Sequence, residues 1–308
     1  MAFSATESAF EGFRIIRREP WSVVAWGVLG LIVGLVSVAV FVPVMGPISK
    51  DLAGGGGAAA APNMALLARL GLFYLIALPV VLLLMAVFTC AIYRSVLRPD
   101  ERGLGRLKLG ADEFRMALLF LALALIYFLG LAVLVLVVAL IVVATAAAVG
   151  QAGGGMSAFV VIALAYLVML GAMAWLGVRL SLAGPMTFAQ RRLRLFSAWK
   201  LTRRRFWPLL GCYLLAFVFV VIIYLVAFSL YGVITFATTG GSVADVATSL
   251  LRPDYTSLQA YLTPARAAKT VIGGFLSALI YAVGFAPAAS AYKAIAGQGP
   301  EAQAATFD

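Results

Sequence analysis

The side chains best placed to do chemistry in this chain are basic and aromatic rather than nucleophilic. Residues 196–210, FSAWKLTRRRFWPLL, set Lys200, Arg203, Arg204 and Arg205 among Phe196, Trp199, Phe206 and Trp207. Cations beside aromatic rings can grip nucleic acid, clamp a lipid phosphate, or orient and anchor a membrane helix. Other chemistries lack their parts. The chain has no histidine, which removes the commonest general base and the commonest metal ligand. Cys90 and Cys212 cannot form a zinc site by themselves and read as reduced packing residues. The GGGG at 54–57 is not followed by the Lys-Ser/Thr of a phosphate loop. Asp112 and Glu113 suit the first turn of a helix, where the backbone dipole favours negative charge. No catalytic residue, cofactor or metal is therefore expected, and the chain reads as non-enzymatic.

The elements that must position the basic residues are apolar. Of 308 residues, 64% are hydrophobic and 11% charged, against about 25% charged in soluble domains. Such a chain needs lipid as its solvent. Charge-free runs at 21–49, 70–93, 116–178, 206–244 and 270–292 are each long enough to cross about 30 Å of hydrocarbon. The third run is too long for one span and is broken by GQAGGGMS at 150–157. The expectation is an all-α integral membrane protein with six transmembrane helices, at about 21–49, 68–93, 115–149, 157–185, 206–239 and 268–293. These make one membrane domain, 21–296, between an interfacial arm, 1–20, and a disordered tail, 297–308. The first run exceeds a signal-peptide core in length. Helices are required because a lipid-exposed backbone must satisfy its own hydrogen bonds. Pro79 and Pro287 predict kinks. The loop at 51–63 reads as flexible, and that at 240–266 as a connector with room for a short helix.

Charge sets the orientation. Three basic residues lie in the arm, six between the second and third spans, eight between the fourth and fifth, and one in the tail. That places 18 of the 23 on one side. The positive-inside rule makes that side cytoplasmic, with both termini there, in a bacterial inner membrane. All 12 acids lie outside the spans or at their edges, which argues against an ion-coupled transporter, since those keep buried carboxylates.

The opening segment has an echo. Residues 10–24, FEGFRIIRREPWSVV, align with 196–210 without gaps at an offset of 186. Phe10 meets Phe196, Phe13 meets Trp199, Arg14 meets Lys200, Arg17 and Arg18 meet Arg203 and Arg204, and Trp21 meets Trp207. AIYRSVL at 91–97 resembles SAYKAIA at 290–296, and ADEFRMALLF at 111–120 opens the middle pair of spans similarly. Three parallel helical hairpins, with basic interfacial segments, describe this economically. Trp21, Trp199 and Trp207 would anchor at the headgroup level. Arg14, Arg17, Arg18, Arg179, Lys200, Arg203, Arg204 and Arg205 would face anionic lipid of the cytoplasmic leaflet or a protein partner. A short patch hugging the bilayer could hardly follow a duplex, so no nucleic-acid partner is expected.

Residues 178–215, VRLSLAGPMTFAQRRLRLFSAWKLTRRRFWPLLGCYLL, resemble the membrane domain attached to some bacterial glycerophosphodiester phosphodiesterases. Arg179, the SLAGP ending in Pro185, and SAWKLTRRRFW carry the likeness. The family often has an acid shortly after the proline, where this chain has Gln190. The resemblance implies six helices with cytoplasmic ends. The family's phosphodiesterase chemistry belongs to a separate soluble barrel with catalytic histidines, which this chain cannot supply. Three readings result. The first is an accessory, scaffolding or lipid-interacting membrane module. The second is a passive transporter or channel for a small or lipidic solute, with a polar path through Thr89, Thr145, Ser229, Thr235 and Ser277. The third, a lipid-modifying enzyme, would need Asp112, Glu113 and Arg179 gathered in one cleft.

Overall fold

The computed structural model describes residues 4–53, 64–101, 103–149, 155–203, 205–238 and 254–297. Arg204, most of the loops at 51–63 and 240–266, the break at 150–154 and the tail from 298 lie outside the described residues. Among the described residues there are helices and no strands. Two short helices, α1 (Ala5–Ala9) and α2 (Glu11–Arg18), lead into α3 (Pro20–Ala53). Then come α4 (Met64–Leu97), a 3-10 turn (Leu104–Arg106), α5 (Ala111–Val149) and α6 (Gly155–Leu180). The chain continues through α7 (Ala183–Gln190), α8 (Leu195–Thr202), α9 (Phe206–Thr238), α10 (Leu258–Tyr261) and α11 (Pro264–Ala296). Six helices, α3, α4, α5, α6, α9 and α11, are long and apolar enough to cross a membrane. At 1.5 Å per residue α5 is about 58 Å long, well beyond the hydrocarbon core.

Local sequence explains the breaks. The fourth apolar run stops at Leu180, and α7 begins after Ser181 and Leu182. Pro185 is the third residue of α7, where a missing N–H costs nothing because first-turn amides have no intrahelical partner. At α11, Thr263 Oγ1 accepts from the Arg266 amide at 3.4 Å, and Pro264 takes the first helical position. Helix α4 runs on through Pro79, and α11 through Pro287, without interruption.

Helix α11 stands at the centre, packed against α3, α9, α4 and α2, whereas α3 and α4 meet one another only slightly. The α3–α11 crossing is backbone against backbone. A Cβ on Gly30 would lie 2.5 Å from the Gly274 carbonyl oxygen, and one on Gly274 would lie 2.5 Å from Leu31 Cα. Only glycine permits that approach. Helix α2 sits on α11 the same way, since a Cβ on Gly12 would strike Val283 Cα at 2.5 Å.

Burial is uneven along the helices. Ile15, Trp26, Ile92, Met116, Leu182, Phe188 and Leu209 form one buried cluster at the end where the basic segments gather. Toward the other end, Leu136, Leu140, Val168, Leu170, Leu225 and Val226 point outward and are exposed. Lipid removes the penalty that water would impose on such a surface.

Candidate functional site

At the basic end the two long loops between spans do different things with their cations. In the first, the turn after α4 folds its charges inward. Arg94 is buried and paired with the buried Glu113 carboxylate, and its Nη1 donates to the Arg106 carbonyl at 3.0 Å. Arg106 adopts a left-handed backbone, φ 54°, following Gly105 at φ 61°. Its guanidinium forks onto Glu19, with Nε and Nη2 each 2.9 Å from a carboxylate oxygen. The same group donates to the carbonyls of Arg98 (3.1 Å), Pro99 (3.1 Å) and Glu101 (2.9 Å). These contacts hold an uncommon conformation for a non-glycine residue and satisfy carbonyls just past the C-terminus of α4. Arg18 Nη2 reaches the Ser95 carbonyl (2.9 Å) and Lys293 Nζ the Val96 carbonyl (3.2 Å), so cations cap the negative end of that helix.

Arg98 completes the layer. It bridges Asp112 (3.3 Å) and Glu101 (3.4 Å), donates to the Phe188 carbonyl (3.0 Å), and lies 4.5 Å over the Phe188 ring. Lys108 donates to Glu101 at 3.1 Å and holds that carboxyl below its ordinary range. Every described basic residue between Arg94 and Arg115 has an acid within 4 Å. The ring nitrogen of Trp26 ties this turn to α3 by donating to the Gly105 carbonyl at 2.6 Å.

The second loop, 179–205, has eight basic residues and no acid. Among its described residues no basic side chain forms an ion pair. Arg191, Arg192, Arg194, Lys200 and Arg203 are exposed. Arg179 is half-buried among three rings, with its guanidinium carbon 5.5 Å from Trp175, 5.8 Å from Trp199 and 5.7 Å from Phe206. Its Nε and Nη1 are buried and have no hydrogen-bond partner. Short contacts hold the loop: Thr202 Oγ1 donates to the Arg179 carbonyl (3.2 Å), and the Arg194 amide donates to Thr187 Oγ1 (3.2 Å).

The expected contact residues thus separate. Arg18 is spent on capping α4. Arg14 is exposed and paired with Glu11 at 3.4 Å, and Arg17 is exposed. Arg179, Lys200, Arg203 and Arg205 lie on the acid-free loop, with Arg205 half-buried. Trp21 and Trp207, partners in the sequence echo, are both highly exposed, at 83% and 76%. Trp199, expected as an interfacial anchor, is half-buried, forms a wall of the Arg179 cage and packs edge-on against Trp175 at 5.0 Å. The hydroxyls of the transport reading bond locally. Thr89, Ser229, Thr235 and Ser277 each donate to a carbonyl of their own helix, and the Thr145 side chain lies outside the described residues. Asp112 and Glu113 bond to arginines other than Arg179. Glu19, Arg94, Arg98 and Arg106 are the charged residues whose joint role sequence reading overlooks. Their only sequence signal is the mixture of acids and bases around Gly103 and Gly105.

Six long apolar helices, bare of polar cover along most of their length, define a multi-pass membrane protein. No protein-family model, curated protein or solved structure matches this chain.

Proposed function

We propose that this protein is a non-enzymatic module of the bacterial inner membrane, with both termini cytoplasmic, whose α7–α8 face recruits anionic lipid headgroups. The observation that carries this reading is Arg179. It is a cation with two orphaned buried nitrogens, in an aromatic cage, at the head of eight basic residues without an acid. Buried donors want an acceptor, and a lipid phosphate at the headgroup level supplies one of the right charge. The helix–break–helix pattern that recurs at Glu11–Arg18 and Leu195–Thr202, each leading into a long span, supports the reading of repeated hairpins with interfacial segments. The resemblance of residues 178–215 to a phosphodiesterase membrane domain supports reading this region as a membrane module.

Tryptophan quenching tests this. In a Trp21→Phe/Trp207→Phe background, reconstituted into neutral bilayers, brominated phosphatidylglycerol should quench Trp175 and Trp199 more than brominated phosphatidylcholine does. At about 1 kcal/mol per cation, Lys200→Gln/Arg203→Gln/Arg205→Gln should weaken the preference by about 3 kcal/mol, roughly a hundredfold. Equal quenching by the two lipids would sink the proposal.

A further inference from the structure

A sizeable cavity lies far from the basic loops. Because α11 separates α3 from α4, a groove of about 600 Å³ opens between them, within the usual range for small-ligand sites. Its floor is α11, where Gly273 and Gly274 remove side chains. Its walls are apolar: Val33 and Val38 from α3, Val81 and Leu84 from α4. From Lys269 to Tyr281 it follows α11 for about 18 Å at 1.5 Å per residue.

The charged side chains gather at the mouth, while Thr270, Ser277 and Tyr281 add hydroxyls along the α11 floor. Lys269 lies 5.2 Å from the Tyr231 ring, and Arg266 lies 4.9 Å over Tyr261, which stacks on Tyr255. Among the described residues no acid lines the groove. A cation at one end of an apolar trough is complementary to one kind of molecule, an anionic head on a hydrocarbon tail. The head replaces its water with the ammonium and the tyrosine edges, and the tail covers apolar wall.

We infer that the α3–α4–α11 groove binds one anionic amphiphile, its carboxylate or phosphate at Lys269 and its chain along Val33, Val38, Val81 and Leu84. This site is separate from the α7–α8 face, and it does not require that proposal to hold.

Photo-crosslinking in neutral bilayers tests it, with diazirines placed in the acyl chains. Three probes are used: a fatty acid, a phosphatidylglycerol and a fatty alcohol. The fatty acid or the phosphatidylglycerol should label peptides containing residues 33–38 and 81–85 at least tenfold more than the alcohol, and the probe that labels identifies the source of the anion. Lys269→Glu should cut that labelling tenfold or more. Gly273→Phe should abolish it, and a Cβ at Gly273 meets nothing within 4 Å, so the variant fills space without forcing the backbone. Lys200→Gln/Arg203→Gln/Arg205→Gln should leave it unchanged. Equal labelling by the alcohol would overturn the inference, as would labelling that survives both Lys269→Glu and Gly273→Phe in protein of unaltered melting temperature.

Discussion

The two basic loops at one end of this bundle carry similar densities of basic residues and very different net charge. The described cations of 94–115 pair with acids and with carbonyls past the end of α4. Among the described residues of 179–205 none forms an ion pair, and Arg179 sits in an aromatic cage. The first arrangement converts charge into architecture, because a buried cation must find every partner it can inside the protein. The second keeps its charge facing outward and stands ready for an external anion. A count of basic residues for topology treats both loops alike. Their acid content separates them.

The hardest way to break this contrast is to remove one half of the buried pair. Arg94→Met leaves Glu113 charged and buried without its partner, which costs about 3–5 kcal/mol. A large drop in melting temperature of the detergent-solubilised protein is the expected readout. Arg94→Met/Glu113→Leu should recover most of that loss, since an apolar pair of similar volume carries no desolvation penalty. By contrast, Lys200→Gln/Arg203→Gln/Arg205→Gln should leave the melting temperature nearly unchanged, because those side chains hold nothing in place. If the triple variant melted as early as Arg94→Met, the two loops would not differ in kind.

Salt sharpens the comparison without mutation. Raising ionic strength from 0.15 to 1 M shortens the Debye length from about 8 to about 3 Å. The share of the Trp175–Trp199 region's preference for brominated phosphatidylglycerol that the exposed Lys200 and Arg203 supply should collapse, leaving the share held by the caged Arg179, while the buried Arg94–Glu113 pair is screened little and the melting temperature holds. A preference that vanished completely at 1 M salt would mean that the caged Arg179 holds no anion and that the exposed cations alone attract lipid.

Much of the architecture is legible from composition. Spans need about 20 apolar residues and no charge, and both requirements are local. The paired loop is harder to read, because its logic depends on two successive left-handed residues, Gly105 and Arg106. Nothing in the sequence asks an arginine to adopt that backbone. It does so because Glu19 and the carbonyls past α4 need its guanidinium, and Glu19 is 87 residues away. The Arg179 cage is half legible: Trp175 lies one helical turn before Arg179, but Trp199 and Phe206 arrive only through the turn after α6. The α3–α4 groove leaves no local trace, because it is a gap created when α11 comes between two helices that are neighbours in sequence.

A smaller effect tests how tightly the paired loop is fixed. Trp26→Phe keeps an aromatic ring at this buried position, smaller than the indole, and deletes the donor to the Gly105 carbonyl. The expected loss is about 1 kcal/mol, visible as a modest fall in melting temperature with lipid preference unchanged. A loss of several kcal/mol would mean that Trp26, rather than the arginines, keeps the turn closed.

The smallest effect concerns acid. Glu101 is partly exposed, and the hydrogen bond from Lys108, aided by Arg98 and Arg94, lowers its pKa in the folded protein. A depressed folded value means the unfolded chain takes up the proton first as pH falls. The contribution is therefore fully present above the ordinary glutamate value of about 4.3 and is lost as pH drops through the lower folded value. Lys108→Gln removes the leading cause of the depression. The variant should melt within about 1 kcal/mol of the parent at pH 7, as exposed pairs do. The parent's extra stability over Lys108→Gln should shrink as pH falls below about 4. If the difference stayed constant from pH 7 to pH 3, Lys108 would act by packing its stem rather than through the Glu101 charge, and the paired loop would rest on its buried arginines alone.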